Sequence, residues 1–220
     1  MRGNFARYRT GVNPYFVWEP FDGGAGWRPF AELLDPAVAA QRVAVSRQAL
    51  VAMFGLAEDA VPERVVASVL FLGYASRLVS PPLAAALAGE VPDVGPADLW
   101  WREVPGGPLP LAVRPRAERP AHDYFDVVVL GLVAPLAEVF MDRFHLSPHV
   151  VWGNVASALA GAAGQIGSAS AWSSVAELLR RAPLKGRADV HGAALRRRNC
   201  CLYYRIPGGG TCGDCVLRKA

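Results

Sequence analysis

Residues 62–82 read PERVVASVLFLGYASRLVSPP, and this stretch sets the fold class. Apolar residues fill it too densely for a half-exposed strand, and it is too long for a buried one. A helix is expected from about Pro62 to Val79, ended by Pro81-Pro82, with a shorter helix over Leu83–Ala88. The apolar block Val65–Ser76 is too short to span a bilayer and is closed by Arg77, so it reads as a core helix. Two further apolar runs, Val127–Met141 and Val150–Trp172, read the same way. The first contains Glu138, and the second is dominated by Ala, Gly and Ser with Asn154 and Gln165.

Working outward, Asp35 is a natural N-cap for a helix beginning at Pro36, with Ala39, Val43, Leu50 and Phe54 on one face and Gly55 as its stop. Leu99-Trp100-Trp101 and Leu109–Val113 flank Pro105-Gly106-Gly107-Pro108, which predicts a small hairpin. Helices follow over Tyr124–Phe144, from Ser147-Pro148 to about Ile166, and over Ala171–Arg181. The first thirty residues, rich in aromatics and glycine, are expected to lie over the body as an irregular arm. The resulting picture is mainly α: a helical body (1–190), one β-hairpin, and a non-helical C-terminal module (191–220). Nothing at Met1–Arg7 resembles a secretory signal, so a cytoplasmic protein is expected.

At 220 residues with 52% hydrophobic and 19% charged residues, the chain is globular rather than disordered. Its net charge of +4 is unevenly placed. From Arg180 onward ten Lys/Arg face two acids (+8), whereas the preceding 179 residues carry thirteen basic and seventeen acidic residues (−4). A basic tail can serve an anionic partner, a nucleic acid or a negatively charged cofactor. Without a basic-and-aromatic repeat or zinc-finger spacing, nucleic acid is the weakest of these.

All four cysteines lie in the tail, as Cys200, Cys201, Cys212 and Cys215, in a C-C-x10-C-x2-C arrangement. Three readings compete. A structural zinc needs four sulfurs converging on one ion, which Cys212 and Cys215 suit but the adjacent Cys200-Cys201 pair does not, since neighbouring side chains diverge. A two-iron rhomb relaxes that demand by offering two metals for four thiolates. Disulfides are opposed by the expected compartment. Arg196, Arg197, Arg198 and Arg205 would offset part of a cluster's negative charge, and Pro207-Gly208-Gly209-Gly210 would leave room beside it.

The block from Arg197 to Leu217, with its paired cysteines, YR-x-PGGG and CGDC-x-L, closely resembles the C-terminal signature of FhuF-like ferric siderophore reductases. Phe71-Leu72-Gly73-Tyr74 and Val151-Trp152-Gly153-Asn154 resemble family segments more weakly. The resemblance implies a cytoplasmic [2Fe–2S] protein that reduces Fe(III) in imported siderophores, commonly hydroxamates, with the four cysteines holding the cluster. Trp152 and Asn154 are candidates for a substrate pocket or for packing against the cluster loop, with ordinary helix packing as the alternative. No nicotinamide or flavin fingerprint is present, so the expected electron donor is a separate acidic protein, such as a ferredoxin or flavodoxin. The competing functions are an iron–sulfur electron-transfer module without its own substrate and a zinc-stapled helical interaction protein. His145 and His149, four apart, could chelate a metal on a helix, but Ser147-Pro148 between them predicts a helix start instead. Of Trp100 and Trp101, one is expected in the core. Arg77 is expected to be buried with a carboxylate or to reach a ligand.

Overall fold

Asp35 caps the first long helix as its chemistry requires. In the computed structural model, which describes residues 13–104 and 107–218, its carboxylate accepts from the N–H groups of Ala37 and Val38. Helix α1 (Pro36–Phe54) ends where Gly55 turns left-handed at φ 62°. The first twelve residues of the expected arm, the Pro105-Gly106 part of the hairpin turn and Lys219 lie outside the described residues.

Helix α2 (Glu63–Leu87) corrects the sequence reading, because it runs without a break through Pro81 and Pro82. A proline at position 81 cannot supply the N–H that the Arg77 carbonyl would normally receive. Here the indole N–H of Trp18 donates to that carbonyl at 2.9 Å, and the Tyr124 hydroxyl donates to the Val79 carbonyl at 3.0 Å. Trp18, from a distant segment, replaces the donor that Pro81 removes, and the helix continues.

The remaining helices follow the expected pattern with small shifts. Residues Phe125–Val133 form a wide π-helical stretch that tightens into α3 (Ala134–Phe144). Ser147 caps α4 (Pro148–Ile166), and α5 spans Ala169–Leu178, starting two residues earlier than expected with Ser168 as its cap. Helices α2 and α4 form the most extensive helix pair. Both helices carry small buried residues (Gly153, Ala156 and Ala163 on α4; Ala67, Ser68 and Ala75 on α2). Small residues let the two backbones approach closely, while Phe71, Phe140, Leu132 and Leu136 fill the core around them.

The β content exceeds the single expected hairpin. Strands β1 (Glu19–Pro20), β2 (Arg28–Pro29), β4 (Leu99–Trp101) and β5 (Leu111–Val113) form a sheet in the order β1-β5-β4-β2. The predicted hairpin is β4–β5, with Trp100 opposite Ala112. The arm, expected to be irregular, adds an edge strand on each side, β1 parallel to β5 and β2 antiparallel to β4. Strands β3 (Glu90–Pro92) and β6 (Glu118–Pro120) pair antiparallel, as do β7 (Ala188–His191) and β8 (Ala194–Arg197). The fold remains mainly α. Two helical stretches, Glu63–Leu87 and Ala121–Phe144, are long and apolar enough to cross a membrane by length and composition, and most of each apolar window is packed inside the protein.

Among the described residues Arg77 forms no ion pair with a carboxylate, and its partners are backbone carbonyls. Its guanidinium donates to the carbonyls of Leu109 and Val17, each at 2.7 Å, and to that of Pro14. Burial lowers its pKa to about 10, still well above neutrality, so the cation persists and clamps the arm to the β4–β5 loop. Trp18→Phe keeps most of the apolar volume but strips the donor from the Arg77 carbonyl, so a loss of about 1–3 kcal/mol in urea unfolding is expected. Arg77→Met, which leaves three carbonyls without their donor, should cost more than Trp18→Phe in the same measurement.

Candidate metal centre

The hairpin β7–β8, which the sequence reading did not anticipate, delivers the tail to the body. It turns at Gly192 (φ 60°), and β8 packs against α4. Arg198 is held in a two-pronged pair with Asp189, both contacts at 2.7 Å. That corrects one expectation: Arg198 is spent on stapling the hairpin and offers no free charge to a metal centre.

Arg197, one residue earlier, turns inward and is buried at 1% exposure. Its Nη2 donates to the Asn154 carbonyl oxygen at 2.6 Å, while Nε and Nη1 have no partner. The Asn154 amide, fully buried on α4, donates to the Ser68 carbonyl (2.8 Å) and hydroxyl (3.1 Å). The Ser68 hydroxyl in turn donates to the Cys201 carbonyl at 2.7 Å. A continuous buried chain therefore runs from the tail through α4 and α2 and back to a cysteine. Asn154 is too deep to touch a substrate and acts as a support for the cysteine loop.

Next to it, Gly153 leaves room for a side chain of the tail. A Cβ there would overlap the Asn199 side-chain amide, which sits directly on the α4 backbone beside Cys200. Trp152, by contrast, is buried within the general core. Ser68, Gly153 and Asn199 were not singled out from sequence. An adjacent Gly-Asn in an uncharged helix was the only available signal, and Ser68 carried none.

After Asn199 the loop is built to present sulfur. Leu202 takes a left-handed conformation (φ 69°), unusual for a branched residue, and leads into a single turn over Tyr203–Arg205. Its N–H donates to Cys200 Sγ at 3.3 Å, and the Leu217 N–H donates to Cys215 Sγ at 3.4 Å. In both halves the amide two residues after a cysteine points at its sulfur, which favours the anionic thiolate. Buried Ile206 anchors the loop, and Gly209 approaches Ile206 and the Tyr203 carbonyl so closely that a Cβ would stand about 3.1 Å from oxygen.

All four cysteines are free, which sets aside the disulfide reading. Cys201 and Cys212 sulfurs lie 3.5 Å apart, near the ~3.8 Å expected of two thiolates on one tetrahedral metal with bonds of about 2.3 Å. Cys200 is half-exposed while its neighbour Cys201 is 1% exposed, so the adjacent side chains diverge as geometry demands. Among the described residues, no three His, Cys, Asp or Glu side chains converge as a single-ion site. A two-iron cluster asks for two thiolates at each metal, and the Cys201–Cys212 pair has a spacing of that kind. Burial pushes the Cys200 and Cys212 thiols up, and neighbouring sulfurs push in the same direction. Cys200 and Cys212 therefore resist ionising alone, and bound metal cations would supply the missing compensation. The residues fit a [2Fe–2S] cluster, which Cys200, Cys201, Cys212 and Cys215 would hold.

The surrounding charge is mixed. Buried Arg197 acts on Cys200 from beneath, and the Asp214 carboxylate stands beside Cys212. Exposed Arg205 lies against Tyr204, with a 3.2 Å contact to its hydroxyl, and also acts electrostatically on Cys200. The two histidines form no chelate. His145 ends α3 in a left-handed turn, and His149 contacts Arg187 at 2.6 Å. Trp101 is fully buried in the core, and Trp100 stacks on Phe21 at 3.6 Å, so neither ring is free for a ligand.

Cys212→Ser should abolish iron and sulfide content while the far-ultraviolet circular dichroism of the helical body persists. Global unfolding of that variant would mean that the metal is chiefly structural. Removing the buried cation with Arg197→Gln should lower the reduction potential, and Asp214→Asn should raise it. Each shift should be of order 60 mV, one tenfold change in a one-electron equilibrium, read by redox titration of the visible spectrum.

Residues 197–217 match the family described as the FhuF 2Fe-2S C-terminal domain. No curated protein matches the chain. The matched segment begins at the buried arginine and includes all four cysteines. Over residues 197–217 the chain is therefore similar to the FhuF 2Fe-2S C-terminal domain, and that segment is carried on a mainly helical body.

Proposed function

We propose that this protein is a ferric siderophore reductase acting in the cytoplasm, with a hydroxamate chelate as substrate and an acidic ferredoxin or flavodoxin as electron donor. The observation that carries the reading is the tail itself, similar to the FhuF 2Fe-2S C-terminal domain and set on a loop at the protein surface. The bound cluster supplies one electron, which takes siderophore Fe(III) to Fe(II). Siderophore oxygens prefer Fe(III), and each tenfold preference lowers the potential of the chelate by about 59 mV. The donor must therefore be strongly reducing, which four-thiolate ligation suits. The weakly held Fe(II) then leaves.

The residues around the loop support docking more than chemistry. Cys200 and Cys212 are half-exposed, and Pro207, Gly208 and Gly210 beside them are exposed, so a bulky chelate meets little side-chain obstruction. Arg196, Arg205 and Arg218 are exposed around the same loop, and none makes an ion pair among the described residues. An electron carrier with an acidic face is complementary to this surface. No nucleophile or general base is required for one-electron transfer.

Anaerobically reduced protein mixed with a ferric hydroxamate and a ferrous trap should bleach the chelate and colour the trap at one iron per electron stored. Reoxidation only by a protein acceptor, with no ferrous iron trapped, would instead leave an electron-transfer module. With a ferredoxin as donor, the rate of electron delivery should fall steeply as salt rises, since exposed charges are screened within about 8 Å at physiological ionic strength. A rate independent of salt would remove the acidic donor from the proposal.

A further inference from the structure

On the face of α2 opposite Ser68, away from the cysteines, α1 and α2 leave a half-open cleft of about 270 Å³. Residues 42, 45, 46, 49, 50 and 53 of α1 and 66, 69, 70, 73 and 74 of α2 line it, each set repeating at helical spacing. Its walls are apolar, with Val45 and Met53 exposed at 43% and 74%. Two details distinguish it from a packing defect. Gly73 sits in the α2 wall with no atom within 4 Å of where a Cβ would stand, so the cleft is open for want of a side chain there. At the inner end lie two buried polar groups, Tyr74 at 4% exposure and Arg42 at 7%.

The hydrogen-bonding capacity at that inner end is unspent. Among the described residues the Tyr74 hydroxyl, which lies beside the Arg42 guanidinium, finds no acceptor for its proton, and Arg42 Nε finds none for its own. A guanidinium only donates, so it cannot accept the tyrosine proton. A buried donor without an acceptor costs about 1–3 kcal/mol, which a ligand acceptor would recover. The charge at this end is already balanced. Arg42 pairs with Glu103 at 2.9 Å, and Arg28 stands 3.6 Å from Glu103 and 2.7 Å from Glu32. An anionic head gains little here, whereas a neutral acceptor satisfies Tyr74.

We infer that this cleft is a binding site for a small neutral molecule with an apolar body and one carbonyl-type acceptor, seated acceptor-first against Tyr74. At ~30 Å³ per non-hydrogen atom, the cavity holds roughly nine, the size of a simple aryl ketone. The site shares no residue with the cysteine loop, so it stands or falls independently of the reductase reading.

Acetophenone and its isostere ethylbenzene, which lacks the acceptor, test it by ligand-observed NMR titration of the full protein. Acetophenone should bind roughly fivefold more tightly than ethylbenzene, the worth of one hydrogen bond near 1 kcal/mol. Tyr74→Phe should erase that difference while retaining ethylbenzene affinity. Gly73→Leu, or Ala49→Phe from the opposite wall, should abolish binding of both probes at unchanged thermal stability. Equal affinities in the unaltered protein, tighter binding of benzoate than of acetophenone, binding that survives both filled variants, or no binding of either probe would each overturn the assignment.

Discussion

The side-chain amide of Asn154 is where three segments far apart in sequence are tied together. It donates to Ser68 on α2, accepts from Arg197 in the tail, and sits fully buried on α4. In a low-dielectric interior an unpaired amide or guanidinium is costly, so each member of this chain holds the others to one position. Ser68 completes the circuit by donating to the Cys201 carbonyl. The cysteine loop is thus registered against the helical body by directional bonds rather than by apolar packing alone. The close approach of α2 and α4, which their small residues permit, is a precondition for the loop to present its sulfurs as it does.

The same arrangement carries an electrostatic consequence. Among the described residues Arg197 is buried without an acidic partner, and two of its nitrogens, Nε and Nη1, meet no acceptor. An uncompensated buried cation is strongly unfavourable unless an anion lies nearby. Four metal-bound thiolates with bridging sulfides carry negative charge, and the cysteines stand where that charge would be felt. Cation and anionic centre account for each other, with Asp214 working in the opposite sense beside Cys212.

Much of the body was legible in sequence because its signals are local. Asp35-Pro36, Gly55 and Ser147-Pro148 cap or stop helices through bonds to backbone within a few residues, and each does so in the structure. The pairing of β4 with β5 followed from two apolar runs around a Pro-Gly turn. The exception, a helix that passes through Pro81-Pro82, depends on Trp18, which lies 59 residues away along the chain from the Arg77 carbonyl it satisfies. The edge strands of the arm were missed for a related reason. Two-residue strands carry no periodicity of their own, and a sheet edge creates them.

By itself the sequence pointed to the cofactor class, through the spacing of Cys200, Cys201, Cys212 and Cys215 and the family resemblance of the tail. Cysteine chemistry depends on residue type and spacing, and both are written in the last twenty-one residues. It also determined a mainly helical body, since helix signals are repeated every few residues over long stretches. Only the tertiary structure decided the roles of the other polar residues. Asn154 became a support rather than a substrate contact, Arg198 a hairpin staple and Arg197 a buried counter-charge. Such roles depend on which groups meet across the fold, because a polar side chain acts through its partner and its dielectric surroundings, and neither is local to the chain.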